Sequence, residues 1–167
     1  MKAKDLGRLI TTLSDMRDVL ILDAPAGIGR GLKNLLGAAA EPVIVATPDD
    51  ISVRDAERLG MLLNERDEPR PVIVFNRVNK GLIRRGEMAS PAALAQTLDM
   101  PLAGVVPESK MVYRAVLKHL RPLQCGDEQV TDAIATLGLR LLGQDARLPV
   151  MEPSPILRFF NRRGVSL

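Results

Sequence analysis

Cysteine and histidine are nearly absent from this chain, Cys125 and His119 being the sole examples. A single cysteine excludes a disulfide framework, and the two residues together cannot furnish the ligand set of a Cys/His zinc site. Aromatic residues make up only 2%, which leaves the core to Leu, Val, Ile and Ala. No apolar run approaches the roughly 18 residues of a membrane span, and charges interrupt the apolar positions of the N-terminal stretch. Together these absences point to a cytoplasmic protein. A net charge of +3 is too small to imply nucleic acid by itself. What is present is globular: 167 residues, 46% hydrophobic and 26% charged, suffice for one core of ordinary size.

The stretch around which the chain is organised is Val19-Leu20-Ile21-Leu22-Asp23-Ala24-Pro25-Ala26-Gly27. Its aliphatic run, bounded by Asp18 and Asp23, reads as a strand buried on both faces, with Asp23 at the carboxyl end. Leu6, Leu9, Ile10 and Leu13 predict an amphipathic helix before it, and Leu32, Leu35, Leu36 and Ala39 a second helix over 28–40. Pro42 to Thr47 reads as another doubly buried strand, followed by a helix that Asp49, Asp50 or Ser52 can cap. Val72 to Phe75 and Leu102 to Val106 are the next strands. Between them lie a basic loop from Val78 to Met88, carrying Lys80, Arg84 and Arg85, and a helix opened by Ser90-Pro91. Helices over 111–120 and 127–142 complete the pattern. Strands alternating with helices predict an α/β fold, a mostly parallel sheet with helices on both faces.

Ligands bind at the carboxyl ends of strands in such sheets. Three ends are predicted to converge: Asp23 to Gly27, Asn76-Arg77, and Pro107-Glu108. An acid suits a metal-bound phosphate, and a glycine lets a bare backbone N–H approach an anion. The Asn76 amide can pair bidentately with an adenine edge. Each of these residue types also serves in ordinary turns. The run Gly27-Ile28-Gly29-Arg30-Gly31 matches neither a phosphate loop nor a dinucleotide fingerprint.

Asp23-Ala24-Pro25-Ala26-Gly27-Ile28 resembles the switch II motif of MinD-type septum-site-determining ATPases, within the MinD/ParA group of deviant P-loop ATPases. Ser52-Val53-Arg54-Asp55-Ala56, Asn76-Arg77-Val78, Arg85-Gly86-Glu87-Met88 and Gly104-Val105-Val106-Pro107-Glu108 follow in matching order. The second and fourth of these five elements favour the MinD branch over the chromosome-partition and flagellar-number branches. The resemblance implies ATP and Mg as cofactors. Asp23 would hold the magnesium through water, and Gly27 would sense the γ-phosphate. Asn76, with Arg77 beside it, would contact adenine, and Pro107 and Glu108 would border the base. The family's phosphate loop ends in Gly-Lys-Thr, whereas this sequence contains no Gly-Lys dipeptide. It is therefore similar to a P-loop NTPase truncated at its N-terminal side. Hydrolysis by this chain alone is not expected, because phosphoryl transfer needs metal and cationic cradle together.

Residues 1–147 are thus expected to form a partial MinD/ParA-like nucleotide-binding domain, 148–155 a Pro-marked linker, and 156–165 a tail. On a helix Ile156, Leu157, Phe159 and Phe160 share one side, opposite Arg158 and Arg162, with Arg163 next in line. Such a stripe suits an anionic membrane surface, and the tail is similar in place and character to the family's membrane-targeting helix. A helix docking back on the domain is the other reading. The resemblance further implies an ATP-driven homodimer, MinC/MinE-like division regulators as partners, and a peripheral location on the inner face of the cell membrane. Two alternatives stay open. One is a non-catalytic membrane- or partner-binding module, and the other a partition- or flagellar-number-type ATPase whose basic loop meets DNA.

Overall fold

The computed structural model describes residues 3–25, 27, 29, 32, 35–36, 41–66, 68–121 and 124–149. The predicted second helix lies largely outside these residues, and the tail from Ile156 to Arg163 wholly so. Two compact units form, residues 1–42 with 58–70, and residues 43–57 with 71–167.

In the first unit, α1 (Ala3–Ser14) buries Ile10, half-buries Leu6 and Leu13, and leaves Leu9 exposed. The hydroxyls of Thr11 and Thr12 donate back to the carbonyls of Gly7 and Arg8, one turn earlier. Here the expected central strand fails. Val19 to Leu22 forms no strand among the described residues, and Ile21 is 84% exposed. An apolar run becomes a strand only when a neighbouring chain accepts its backbone hydrogen bonds, and none does here among the described residues.

The second unit contains a parallel sheet of order β1-β2-β3, flanked by helices. The strands are β1 (Val43–Ala46), β2 (Val72–Val78) and β3 (Leu102–Pro107). Centrality belongs to β2, whose Ile73, Val74 and Phe75 are all buried, as a strand covered on both faces requires. By contrast β1 is half-buried, with Ile44 and Ala46 inside but Val43 and Val45 exposed, because side chains alternate between the faces and one face of this strand is left open among the described residues. Its helix, α2 (Asp50–Glu65), begins where the Asp49 carboxylate accepts the Ser52 N–H at 3.0 Å. Asp49 is therefore the cap among the three candidates.

The supposed basic loop after β2 contains a short helix, α3 (Lys80–Arg85). Asn79 Oδ1 caps its start by accepting from the Gly81 and Leu82 amides. Gly86, at φ 74°, closes its end with an N–H to the Ile83 and Leu82 carbonyls. A six-residue helix with three cationic side chains shows too little apolar periodicity to be read from sequence. As predicted, Ser90 caps α4 (Pro91–Thr97), with proline in the first turn. Next come α5 (Lys110–Leu117), capped by Ser109, and α6 (Glu128–Leu141), capped by Asp127. Helix α4 packs on β2 and β3, and α6 on β3. Gly104 permits that second contact, since a Cβ there would sit 2.8 Å from Leu137 Cδ1. The Arg140 guanidinium secures it from the other end, donating to the carbonyls of Leu102, Ala103 and Ala146 at 2.8–3.0 Å.

Candidate functional site

The carboxyl edge of the sheet is shaped by an irregularity in β2. Phe75 pairs with Val105 and Val78 with Pro107, so Asn76 and Arg77 together stand against Val106 alone. This is a β-bulge, the device by which a strand re-aims side chains at its end. Arg77 adopts φ 58°, a left-handed conformation unusual for a side chain with a Cβ and costing on the order of 1 kcal/mol. Asn76 stabilises the bend by accepting the Arg77 N–H on its own Oδ1 at 2.9 Å. Its Nδ2 group is the donor left for a ligand.

Across the bulge, Glu108 continues from β3 and donates its backbone N–H to the Val78 carbonyl at 3.0 Å. Its carboxylate accepts from Asn79 Nδ2 at 3.0 Å and from Arg77 Nη2 at 3.4 Å. The Asn79 hydrogen bond, helped by Arg77 and the charge of Lys110 against partial desolvation, holds that carboxyl below the usual glutamate range. Pro107 is half-buried beside it. Four of the predicted site residues, Asn76, Arg77, Pro107 and Glu108, are therefore brought to one edge. Asp23 and Gly27 belong to the other unit. Asp23 is exposed and lies outside any strand. Gly27 has φ 81°, with no atom within 4 Å of where a Cβ would stand.

Three further residues hold this edge in place. Asn79 serves both as the α3 cap and as the Glu108 partner. Ser109 accepts from the Met111 and Val112 amides and donates its hydroxyl to Asp127, which in turn accepts the Val130 N–H. That hydroxyl is the main cause of the lowered Asp127 pKa. Both Asn79 and Ser109 immediately precede a helix and were readable as caps by the rule that identified Ser90. In the Arg85-Gly86-Glu87 turn, the guanidinium grips the Glu87 carboxylate in a two-pronged contact that lowers the acid's pKa.

The edge offers an amide donor, a proline and a fixed carboxylate, which fits the polar rim of a nucleobase. Among the described residues no three His, Cys, Asp or Glu side chains cluster as a metal site, and no Gly-Lys loop stands in the sequence.

No protein-family model matches the chain. Its sequence is 31% identical over 147 residues to the septum site-determining protein MinD of Synechocystis, covering 87% of this chain and 55% of the relative. With the Bacillus subtilis protein of the same name, identity is 30% over 151 residues, covering 89% and 56%. Over most of its length the chain is similar to MinD proteins. It spans about half the length of the curated MinD relatives it matches. The MinD cell division protein of Aquifex aeolicus shares the fold, with a TM-score of 0.82 over 90% of this chain and 64% of that one at 24% identity. The Aquifex MinC:MinD complex gives 0.83 over 92% and 64% at 22%. MinD from Pyrococcus horikoshii, solved with Mg-ADP, gives 0.69 over 84% and 56% at 20%. The sheet and flanking helices thus share the fold of these MinD structures.

Proposed function

We propose that this chain acts in cell-division-site selection as a MinD-type protein and presents the base-binding end of an adenine-nucleotide site. One observation carries the reading: the bulge that sets Asn76 and Arg77 against Pro107 and Glu108 at the carboxyl edge of a parallel sheet. Asn76 Nδ2 donates to an adenine ring nitrogen, Pro107 lies along the base, and the Glu108 carboxylate, tied to Asn79, keeps Arg77 positioned. Magnesium and ATP phosphates, when bound in a MinD protein, supply the charge that couples nucleotide state to assembly. In the proposal Asp23 serves as a water-mediated metal contact and Gly27 as a phosphate sensor. They do not by themselves make a phosphate cradle, so no hydrolytic step is assigned to this chain.

The Mg-ADP bound to the Pyrococcus protein and the MinC seated on the Aquifex protein support nucleotide and MinC-like partners here. Homodimerisation, a MinE-like regulator and attachment of the tail residues Ile156, Leu157, Arg158, Phe159, Phe160, Arg162 and Arg163 to the inner face of the cell membrane complete the proposal. No helix among the described residues is long and apolar enough to cross a membrane.

Competition between adenine and guanine nucleotides tests the base-binding edge. The chain is expected to prefer adenine, and Asn76→Ala to remove the preference without unfolding the sheet. Equal affinity for both bases in the parent chain contradicts the assignment.

A further inference from the structure

Helix α5 is built the wrong way round for a helix of an isolated domain. Its one buried residue is Ala115, while Tyr113 (67%), Val116 (54%) and Leu117 (63%) are exposed, and Leu120 follows at 47%. At 100° per residue, Tyr113, Val116 and Leu117 share one side, roughly opposite Ala115. Three apolar side chains at positions i, i+3 and i+4 therefore form a stripe facing away from the core, and Leu120 is exposed just beyond the helix end. Lys110, Arg114 and the C-cap Lys118 recur every fourth residue along one flank of that stripe, and Arg121 is a further cation beyond the helix end. All four are exposed, and no acid occurs between Lys110 and Gly126. The helix is held in shape from below, since its cap Ser109 is bonded to Asp127, the cap of α6.

We infer that this face of α5 is a second membrane-contact surface, which lies on anionic lipid. An apolar stripe with cations along its flank matches the boundary between acyl chains and phosphates, each side chain reaching the layer it prefers. The charge complementarity requires a negative partner. The shape favours a plane, because the stripe projects outward from a short helix and lines no groove. The inference stands on α5 alone and does not depend on the tail. A tail and a helix on one chain would bind together more tightly than either does singly.

The chain contains no tryptophan, so Leu117→Trp introduces a unique fluorophore into an exposed position. With vesicles of phosphatidylglycerol and phosphatidylcholine, its emission is expected to move to the blue and to be quenched by brominated acyl chains. Neutral phosphatidylcholine vesicles should give no shift. Adding Arg114→Gln and Lys118→Gln should weaken the effect on anionic vesicles several-fold, as should raised salt. Combining the probe with Phe159→Asp and Phe160→Asp separates the two surfaces, and a shift that survives at higher lipid locates contact in α5. Vesicle sedimentation with no change in the emission of the introduced indole would assign membrane binding to the tail and overturn the inference. A shift caused by concentrating the protein alone, or by an acidic amphipathic peptide but not by vesicles, would assign the face to a protein partner and overturn it equally.

Discussion

Asn79 and Glu108 meet at 3.0 Å across the β2–β3 edge, and the same Asn79 side chain caps α3 with its other atom. Each amide group thus has a separate task, the oxygen satisfying helix N–H groups and the nitrogen fixing a carboxylate. Asn79→Ala removes both and should destabilise the second unit by roughly 1–2 kcal/mol. Asn79→Asp is more informative. Asp caps helices as well as Asn does, but here it sets a second carboxylate against Glu108. Denaturation curves should therefore place Asn79→Asp below the parent at neutral pH and recover part of the difference near pH 4.

The lowered Glu108 pKa makes a linked prediction. A depressed folded-state pKa contributes stability above the unfolded value, close to 4.5, and that contribution disappears as pH falls through the folded value. Glu108→Gln should flatten the acid limb of the stability profile below about pH 4.5. Urea midpoints measured from pH 7 to pH 3 check this. A limb as steep in the variant as in the parent would place the titration elsewhere, with Asp49 and Asp127, also lowered, the next groups to examine.

Gly104 lies beneath α6, and a methyl group there would press on Leu137 Cδ1 at 2.8 Å, with Cβ and Cγ also within 3.4 Å. Gly104→Ala is expected to cost about 1–3 kcal/mol through overpacking. The cost should shrink when Leu137→Ala is present as well, so the double mutant will be non-additive.

Arg140 donates to two β3 carbonyls and to Ala146. Its fork cannot be reproduced by an ammonium group. Both Arg140→Met and Arg140→Lys should lower the thermal midpoint, by an amount corresponding to roughly 1.5–3 kcal/mol. Full rescue by lysine would show that charge alone holds the contact.

How much of this was legible in the sequence depends on how local each signal is. Ser90-Pro91 announced its helix because a cap acts on amides two or three residues away. The buried run Val72 to Phe75 announced β2 for a similar reason, its neighbours in sequence being enough. Val19 to Leu22 has the same composition and no strand, because pairing is supplied by another part of the chain and composition cannot supply it. The bulge at Asn76 and Arg77 was invisible for a related reason, since register is a property of two strands. Arg140 reads as helix surface in sequence, yet its partners lie 37 and 38 residues away. The pair Pro107-Glu108 was placed at a strand end by the pattern of the chain and given its base-bordering role by likeness to a family, whereas Asn79 and Ser109, which hold it in place, needed only the capping rule.

The central claim is that the β2–β3 edge holds a base and that this chain does little with the phosphates. Backbone-amide NMR of the chain titrated with AMP, and separately with ATP and magnesium, tests it most directly. The account expects both nucleotides to move the amides of Asn76 through Asn79 and of Glu108, with affinities within a few-fold of each other. Binding of ATP more than about tenfold tighter than AMP would contradict it by showing a phosphate site within this chain. So would shifts that avoid the β2–β3 edge altogether.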